Sequence, residues 1–270
     1  MKPPPFAYHR PSTRAAVDQL LAELGEEAKV LAGGQSLIPI MNMRLAAPAH
    51  LIDINTLEDE PTEPALEDGV IRFGPLVRQA AAERWLELAA RAPALKEALA
   101  YTAHPAIRSR GTVVGSIAHA DPAAELPALL LALGGEVRAR GADGSRTIAA
   151  EDFFLGALET ALKPGEWVEE VSLPAARPDS GYAVEEFAQR HGDYALCGVI
   201  AVAREDRVTL VHFGIGPLAV RTTLPAPVTV DDVREALADV DMTDDLHASS
   251  AYRRHLAAVL GARAASRALA

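Results

Sequence analysis

Cysteine is almost absent. Cys197 is the only one in 270 residues, so the chain has no internal disulfide, and by itself it cannot hold an iron–sulfur cluster or a cysteine-rich zinc site. A reducing cytoplasm is the compartment that fits. Long apolar runs are missing too. No segment approaches ~18 uninterrupted apolar residues, which excludes a membrane-spanning helix. The N-terminal MKPPPFAYHRPST has one early lysine but no apolar core, and is not expected to act as a secretory signal. Basic residues are outnumbered, with 26 Lys and Arg against 37 Asp and Glu, leaving a formal net charge of −11. That balance disfavours a nucleic-acid backbone or an anionic membrane surface as partner. There are no internal repeats and no low-complexity tract beyond a general richness in alanine.

What remains is a globular composition, 49% hydrophobic and 23% charged with 19 glycines and 19 prolines, in a chain long enough for one large domain or two modest ones. STRAAVDQLLAELGEE reads as an amphipathic helix started by Ser12 or Thr13 and stopped by Gly25. The strand KVLAGG follows, then a short helical or irregular piece, then the strand HLIDIN. This is a small α/β unit ending near residue 56. LEDEPTEPALEDG reads as a surface loop or edge hairpin, GVIRFGPLV as a strand, and residues 77–104 as two helices split at Pro93. Asp143-Gly144 marks a hairpin, and GEWVEEVSLP is another strand. Prolines and a Ser-Gly cluster over 172–181 mark a boundary. Beyond it, three strand-like runs and two helices predict a second α+β unit of about 95 residues.

Two stretches carry the functional signal. In KVLAGGQSLI a strand stops at Gly33 and Gly34. Glycine is used where φ is positive or where something must approach the backbone, so the pair makes either a tight turn or a cradle for a ligand held by free N–H groups. In IRSRGTVVGSIAHADPAAELPALLLAL, Gly111 and Gly115 frame Thr112 and Ser116 ahead of an apolar helix. Two such loops can face each other across a pyrophosphate and bind it with amides and hydroxyls alone.

AGGQSLIP, GTVVGSIAHADPAAELP and RHGDYALCGV together resemble the signature stretches of the FAD-binding medium subunits of molybdenum hydroxylases. That family includes the carbon monoxide dehydrogenase medium subunit and the flavin domain of xanthine dehydrogenase. The resemblance runs from the first helix to DDLHASSAYRRHLAAVL. It implies an α+β fold: a vanillyl-alcohol-oxidase-type FAD-binding domain over 1–173, in two α/β subdomains of about 1–56 and 57–173, and a small C-terminal α+β domain over 178–270. It implies that Leu31, Ala32, Gly33, Gly34, Gln35, Ser36 and Leu37, with Thr112, Gly115 and Ser116, hold the FAD diphosphate. Glu125 would hold FAD hydroxyls and Tyr194 would sit beside the isoalloxazine ring. The implied partners are a large molybdenum-cofactor subunit and a small [2Fe–2S] subunit, in a dimer of heterotrimers. Electrons would pass from the partner clusters through FAD to a quinone, NAD or oxygen. The chain would be an oxidoreductase subunit with no catalytic acid or base and no metal of its own. The alternatives are a free-standing flavin oxidase, for which the C-terminal unit is small, and a flavin-free structural subunit.

The family's second loop reads T-x-G-G-[ND]; here Val114 replaces the first glycine of that pair. A β-branched residue resists positive φ. Either the position has ordinary dihedrals and the family's glycine serves close approach, or the loop is reshaped; if the Val114 methyls crowd it, FAD binds more weakly and Val114→Gly tightens it. Other features have plainer readings. GIGPLA is a strand-end turn, because Pro217 prevents the helix a dinucleotide motif needs. Asp121-Pro122 caps the helix that follows. His119, Asp121 and Glu125 lack a further His or Cys to complete a metal site. His191 is a solvated loop histidine, Cys197 a buried inert thiol, and DVDMTDDLH a solvated run of acids without the spacing of a calcium loop.

Overall fold

The computed structural model describes residues 2–270. The first unit is a three-stranded parallel sheet in the order β1 (Ala7–His9), β3 (His50–Asp53), β2 (Ala28–Leu31). Parallel neighbours need crossovers. These are α1 (Arg14–Leu24) and α2 (Leu37–Asn42). Thr13 caps α1, its side chain accepting from the Ala16 N–H at 3.2 Å, and Gly25 ends it at φ +56°. Val17 and Leu21 face inward and form a small core with Ile52, Ile54 and Trp167. The glycine pair therefore lies just past the C-terminal end of a parallel strand, the edge at which open α/β sheets bind ligands.

The middle of the chain builds a five-stranded antiparallel sheet from β4 (Ala65–Glu67), β5 (Val70–Phe73), β6 (Glu136–Gly141), β7 (Gly144–Ala149) and β10 (Trp167–Pro174), ordered β4-β5-β10-β6-β7. The acidic, proline-rich stretch ends in the edge strand β4. The Asp143-Gly144 signal is a hairpin in which Gly141 pairs with Gly144. A separate small hairpin joins β8 (Phe154–Gly156) to β9 (Glu159–Thr160). Helices α3 (Gln79–Arg84), α4 (Leu88–Arg91), α5 (Pro93–Tyr101), α6 (Pro105–Arg108), α7 (Val113–His119), α8 (Glu125–Leu133) and α9 (Ala150–Phe153) fill the connections. Pro93 opens α5, where its missing N–H costs nothing. A further break at Trp85–Glu87 makes three helices of the stretch read as two.

A charge cluster ties the first unit to the second sheet. Glu169 on β10 is 1% exposed and meets Arg14 of α1 at 2.7 Å and Arg138 of β6 at 2.8 Å; its Oε1 also accepts from Ser145 Oγ. Asp18 of α1 accepts from Arg140 Nε at 2.8 Å and from Trp167 Nε1 at 2.9 Å. Removing one member of such a cluster strands the rest, although its arginines keep partial access to water. Glu169→Gln is expected to lower unfolding stability by about 1–2 kcal/mol, read as a shift of the urea midpoint. An unchanged midpoint would mean that solvent replaces the carboxylate fully.

The C-terminal sheet is the antiparallel meander β11 (Ser180–Phe187), β12 (Cys197–Arg204), β13 (Arg207–Phe213), β14 (Val220–Pro225). Its fourth strand, VRTTLP, was passed over in the sequence because it alternates exposed and half-buried residues at an open edge. One face takes α10 (Val230–Ala236) and α11 (Ser250–Leu269), with Leu256, Leu260 and Ala264 packing on Val199, Ala201 and Val208. The other face joins the middle of the chain in one continuous core, Val184, Ile200 and Phe213 lying among Leu95, Leu99 and Leu130. β12 is therefore apolar on both sides. The DVDMTDDLH stretch does more than solvate. Asp245 accepts from the His247 and Ala248 N–H groups and pairs at 2.6 Å with buried Arg253, which donates to the Leu196 carbonyl at 2.5 Å and to that of Gly214. Among the described residues, no helix is long and apolar enough to cross a membrane.

Candidate functional site

A cleft of about 930 Å³ opens where the first unit, the middle helices and the loop after β11 converge. All twelve residues singled out from the sequence line it: Leu31 through Leu37 from the β2–α2 loop, Thr112, Gly115 and Ser116 from the start of α7, Glu125 from the start of α8, and Tyr194 from the β11–β12 loop. The loop opens because Gly34, at φ +71°, turns the chain in a conformation that side chains disfavour. Gly33 serves a different purpose. A Cβ there would stand 2.5 Å from the Arg110 carbonyl oxygen and 2.7 Å from Gly111 Cα, so the absent side chain lets the second loop rest directly on the first.

Among the described residues, no protein acceptor pairs with the backbone N–H groups of Gly33, Gly34, Gln35 or Ser36. In the second loop, Val113 N–H is taken by the Val77 carbonyl at 3.0 Å and Gly115 N–H by Thr112 Oγ1 at 2.9 Å, while that of Val114 has no acceptor. A Cβ on Gly115 would sit 2.6 Å from that same Oγ1, so glycine there makes the Thr112 cap possible. Unpartnered backbone donors on two abutting glycine loops suit an extended anion with many acceptor oxygens and little need of a cation. A dinucleotide diphosphate meets that description.

Val114 decides between the two readings of the second loop. It lies in the first turn of α7 with negative φ, and its side chain is 4% exposed, packed in the main core. The position has ordinary helical dihedrals, so no strain arises from the branch. Asp121 is also not a helix cap. The N-cap of α8 is Ala124, without a side-chain bond; Asp121 Oδ1 accepts from Ala123 N–H at 2.9 Å in a local turn, and its side chain borders the cleft. The sequence reading missed Gln79, Lys163 and Trp167 in the cleft wall. Gln79 carried a usable signal only in three dimensions: its Oε1 is buried without a partner, and a Cβ on Gly111 would meet it at 2.9 Å.

The polar groups at the cleft are tuned by burial. Glu125 is 5% exposed, and burial pushes its carboxyl up to about 7, with Thr102 and Arg108 pulling the other way and Asp121 adding to the rise. Glu186 on β11 is pushed up to about 8 by burial and by the charge of Glu125. Tyr194 stands at the mouth, where burial of its phenol end and the nearby carboxylates of Asp121 and Glu125 push it up to about 12, opposed by Ser36. Burial lowers His119, and raises the Cys197 thiol to about 12, which makes it an inert core residue. A carboxyl near neutrality can both donate to and accept from a sugar hydroxyl.

Glu125 sets a pH dependence. Its folded-state value lies above the ordinary 4.5, so the folded chain holds the proton more tightly than the unfolded one. The stabilisation is present in full below about pH 4.5 and is lost as pH rises through about 7. Between pH 5 and 8 the apoprotein should therefore lose on the order of 2 kcal/mol from this group. Glu125→Gln should flatten that slope, measured as melting temperature against pH. Parallel profiles for the two proteins would show that Glu125 ionises as it does in water.

Comparison with known proteins supplies the family context. Residues 4–176 match the family model described as the FAD-binding domain in molybdopterin dehydrogenase. The whole chain aligns at 35% identity with 96% of the 6-hydroxypseudooxynicotine dehydrogenase complex subunit alpha of Paenarthrobacter nicotinovorans. It aligns at 35% identity with 99% of the carbon monoxide dehydrogenase medium chain of Afipia carboxidovorans. Among solved structures, carbon monoxide dehydrogenase from Hydrogenophaga pseudoflava superposes with a TM-score of 0.93 at 32% identity, covering 100% of this chain and 99% of that one. Quinoline 2-oxidoreductase from Pseudomonas putida 86 superposes at 0.90 with 29% identity, covering 99% and 98%.

Proposed function

We propose that this chain, which belongs to the family of FAD-binding domains in molybdopterin dehydrogenases, holds FAD in the cleft between its first unit and its middle helices. It is the FAD-binding, electron-transfer subunit of a molybdenum hydroxylase. In this reading Leu31, Ala32, Gly33, Gly34, Gln35, Ser36, Leu37, Thr112, Gly115 and Ser116 hold the diphosphate, Glu125 holds hydroxyls of the cofactor, and Tyr194 flanks the ring. The observation that carries it is the pair of abutting glycine loops, the first with the Gly33, Gly34, Gln35 and Ser36 N–H groups and the second with that of Val114 left without an acceptor in the protein. FAD supplies the redox chemistry, accepting electrons and passing them on. The chain's own work is to bind and orient it and to shield it from water.

The same reading divides the chain into an FAD-binding domain over 1–173, with subdomains of about 1–56 and 57–173, and a C-terminal domain over 178–270. Its relatives are subunits of multi-subunit dehydrogenases. The partners we infer are a large molybdenum-cofactor subunit and a small [2Fe–2S] subunit, in a cytoplasmic dimer of heterotrimers. The single cysteine supports this, since the clusters must sit on another chain. The test is direct. The purified chain should carry a flavin spectrum and extractable FAD, and should be reduced by dithionite. Alone, it should oxidise no heterocyclic or carbonyl substrate. Turnover by the single chain would sink the subunit reading in favour of a free-standing oxidase, and a colourless chain that rejects added FAD would sink the flavin reading itself.

A further inference from the structure

Beneath the two glycine loops, outside the cleft, four side chains form a continuous hydrogen-bonded line. The first loop presents the Ala32 carbonyl, to which Asn55 Nδ2 donates at 2.8 Å. The second presents the Arg110 carbonyl, to which Arg78 Nη1 donates. The two side chains are joined, Arg78 Nη2 donating to Asn55 Oδ1. Asn55 is itself oriented by Asp53, whose Oδ1 accepts from its N–H at 2.9 Å and its Nδ2 at 2.5 Å, while Tyr8 Oη donates to the other oxygen. The backbone beside Arg78 is locked to the second loop as well: Gln79 N–H donates to the Gly111 carbonyl at 2.8 Å and Val113 N–H to that of Val77 at 3.0 Å. The ring closes where Gly33 rests on Arg110 and Gly111.

Tyr8, Asp53, Asn55 and Arg78 do not line the cleft. Whatever they contribute to a ligand, they contribute through the loops. Arg78 suits the task, because a planar guanidinium offers donors on separate nitrogens in a fixed fork, which an ammonium does not. Asn55 suits it because one amide both donates and accepts.

We infer that Asn55 and Arg78 are positioning residues that staple the two diphosphate loops together and fix the spacing of their free N–H donors. This rests on the reading of the cleft as the FAD site. Donors held at the right spacing before the ligand arrives cost no ordering on binding. Losing the staple therefore weakens binding more than it weakens the fold, since Asn55 is exposed and Arg78 half-exposed.

The experiment titrates FAD into the full chain stripped of flavin, following flavin fluorescence, with the melting temperature of each apoprotein measured in parallel. Arg78→Met and Asn55→Ala should each raise the FAD dissociation constant about tenfold or more, with apoprotein melting points close to that of the wild type. The double variant should be little worse than the worse single one, because both break one line. Arg78→Lys, able to reach only one of its two acceptors, should fall between wild type and Arg78→Met. Wild-type affinity in Arg78→Met would overturn the staple. So would weakened binding that tracks a lowered melting point and adds up across the two sites, which marks general destabilisation. A wild-type chain that binds no FAD would instead overturn the reading of the cleft beneath it.

Discussion

Gly33→Ala should give a folded chain that retains no FAD. The added methyl would lie 2.5 Å from one backbone atom and 2.7 Å from another, Arg110 O and Gly111 Cα. Neither is the end of a flexible side chain, so relief requires the two loops to move apart. Donors that must meet one diphosphate from both sides tolerate little of that, and a loss on the order of 3 kcal/mol, about a hundredfold in dissociation constant, is expected. Gly34→Ala should be milder. Its Cβ would only touch Ile38 and Leu31 at 3.3 Å, and the φ of +71° costs about 1 kcal/mol for a non-glycine residue. Absorbance at the flavin bands and far-UV circular dichroism separate the outcomes. A yellow, stoichiometric Gly33→Ala protein would mean that the loops need not touch to bind the cofactor.

Val114→Gly should do the opposite of what the sequence motif suggests. The side chain is buried in the main core on a helical turn, so its removal takes apolar contacts from the interior and places a flexible residue in a helix. The sum is about 2–3 kcal/mol of stability, with no gain in FAD affinity, because no strain is released. Urea unfolding and FAD titration of the two apoproteins check both halves. Tenfold tighter binding in the variant would show that the branch does crowd the cofactor.

The glycine loops, Glu125 and Tyr194 were legible because they sit in short contiguous motifs, and a motif survives in one dimension. The helix over 14–24 was legible because its cap, apolar stripe and stop are all local. What sequence could not yield is contact between distant segments. Gly33 reads as a place for a ligand, yet its nearest demand comes from Arg110, far along the chain. Asn55 and Arg78 carry no motif; only the fold brings them together under the loops. Val114 stayed open between two readings because a pattern of glycines says nothing about dihedrals; the loop is the first turn of a helix. The strand β14 escaped because one side of it faces solvent, which leaves little apolar signal to read.

The lone thiol has a practical consequence. Cys197 is fully buried on β12, and its ionisation is pushed up to about 12, so it offers almost no thiolate to an alkylating reagent at neutral pH. The natural chain is thus its own unlabelled background. A cysteine introduced at an exposed position such as Leu45→Cys or Leu246→Cys would be the one reactive group on the molecule. A spin label or fluorophore there would report directly which face becomes immobile when other subunits assemble around the flavin.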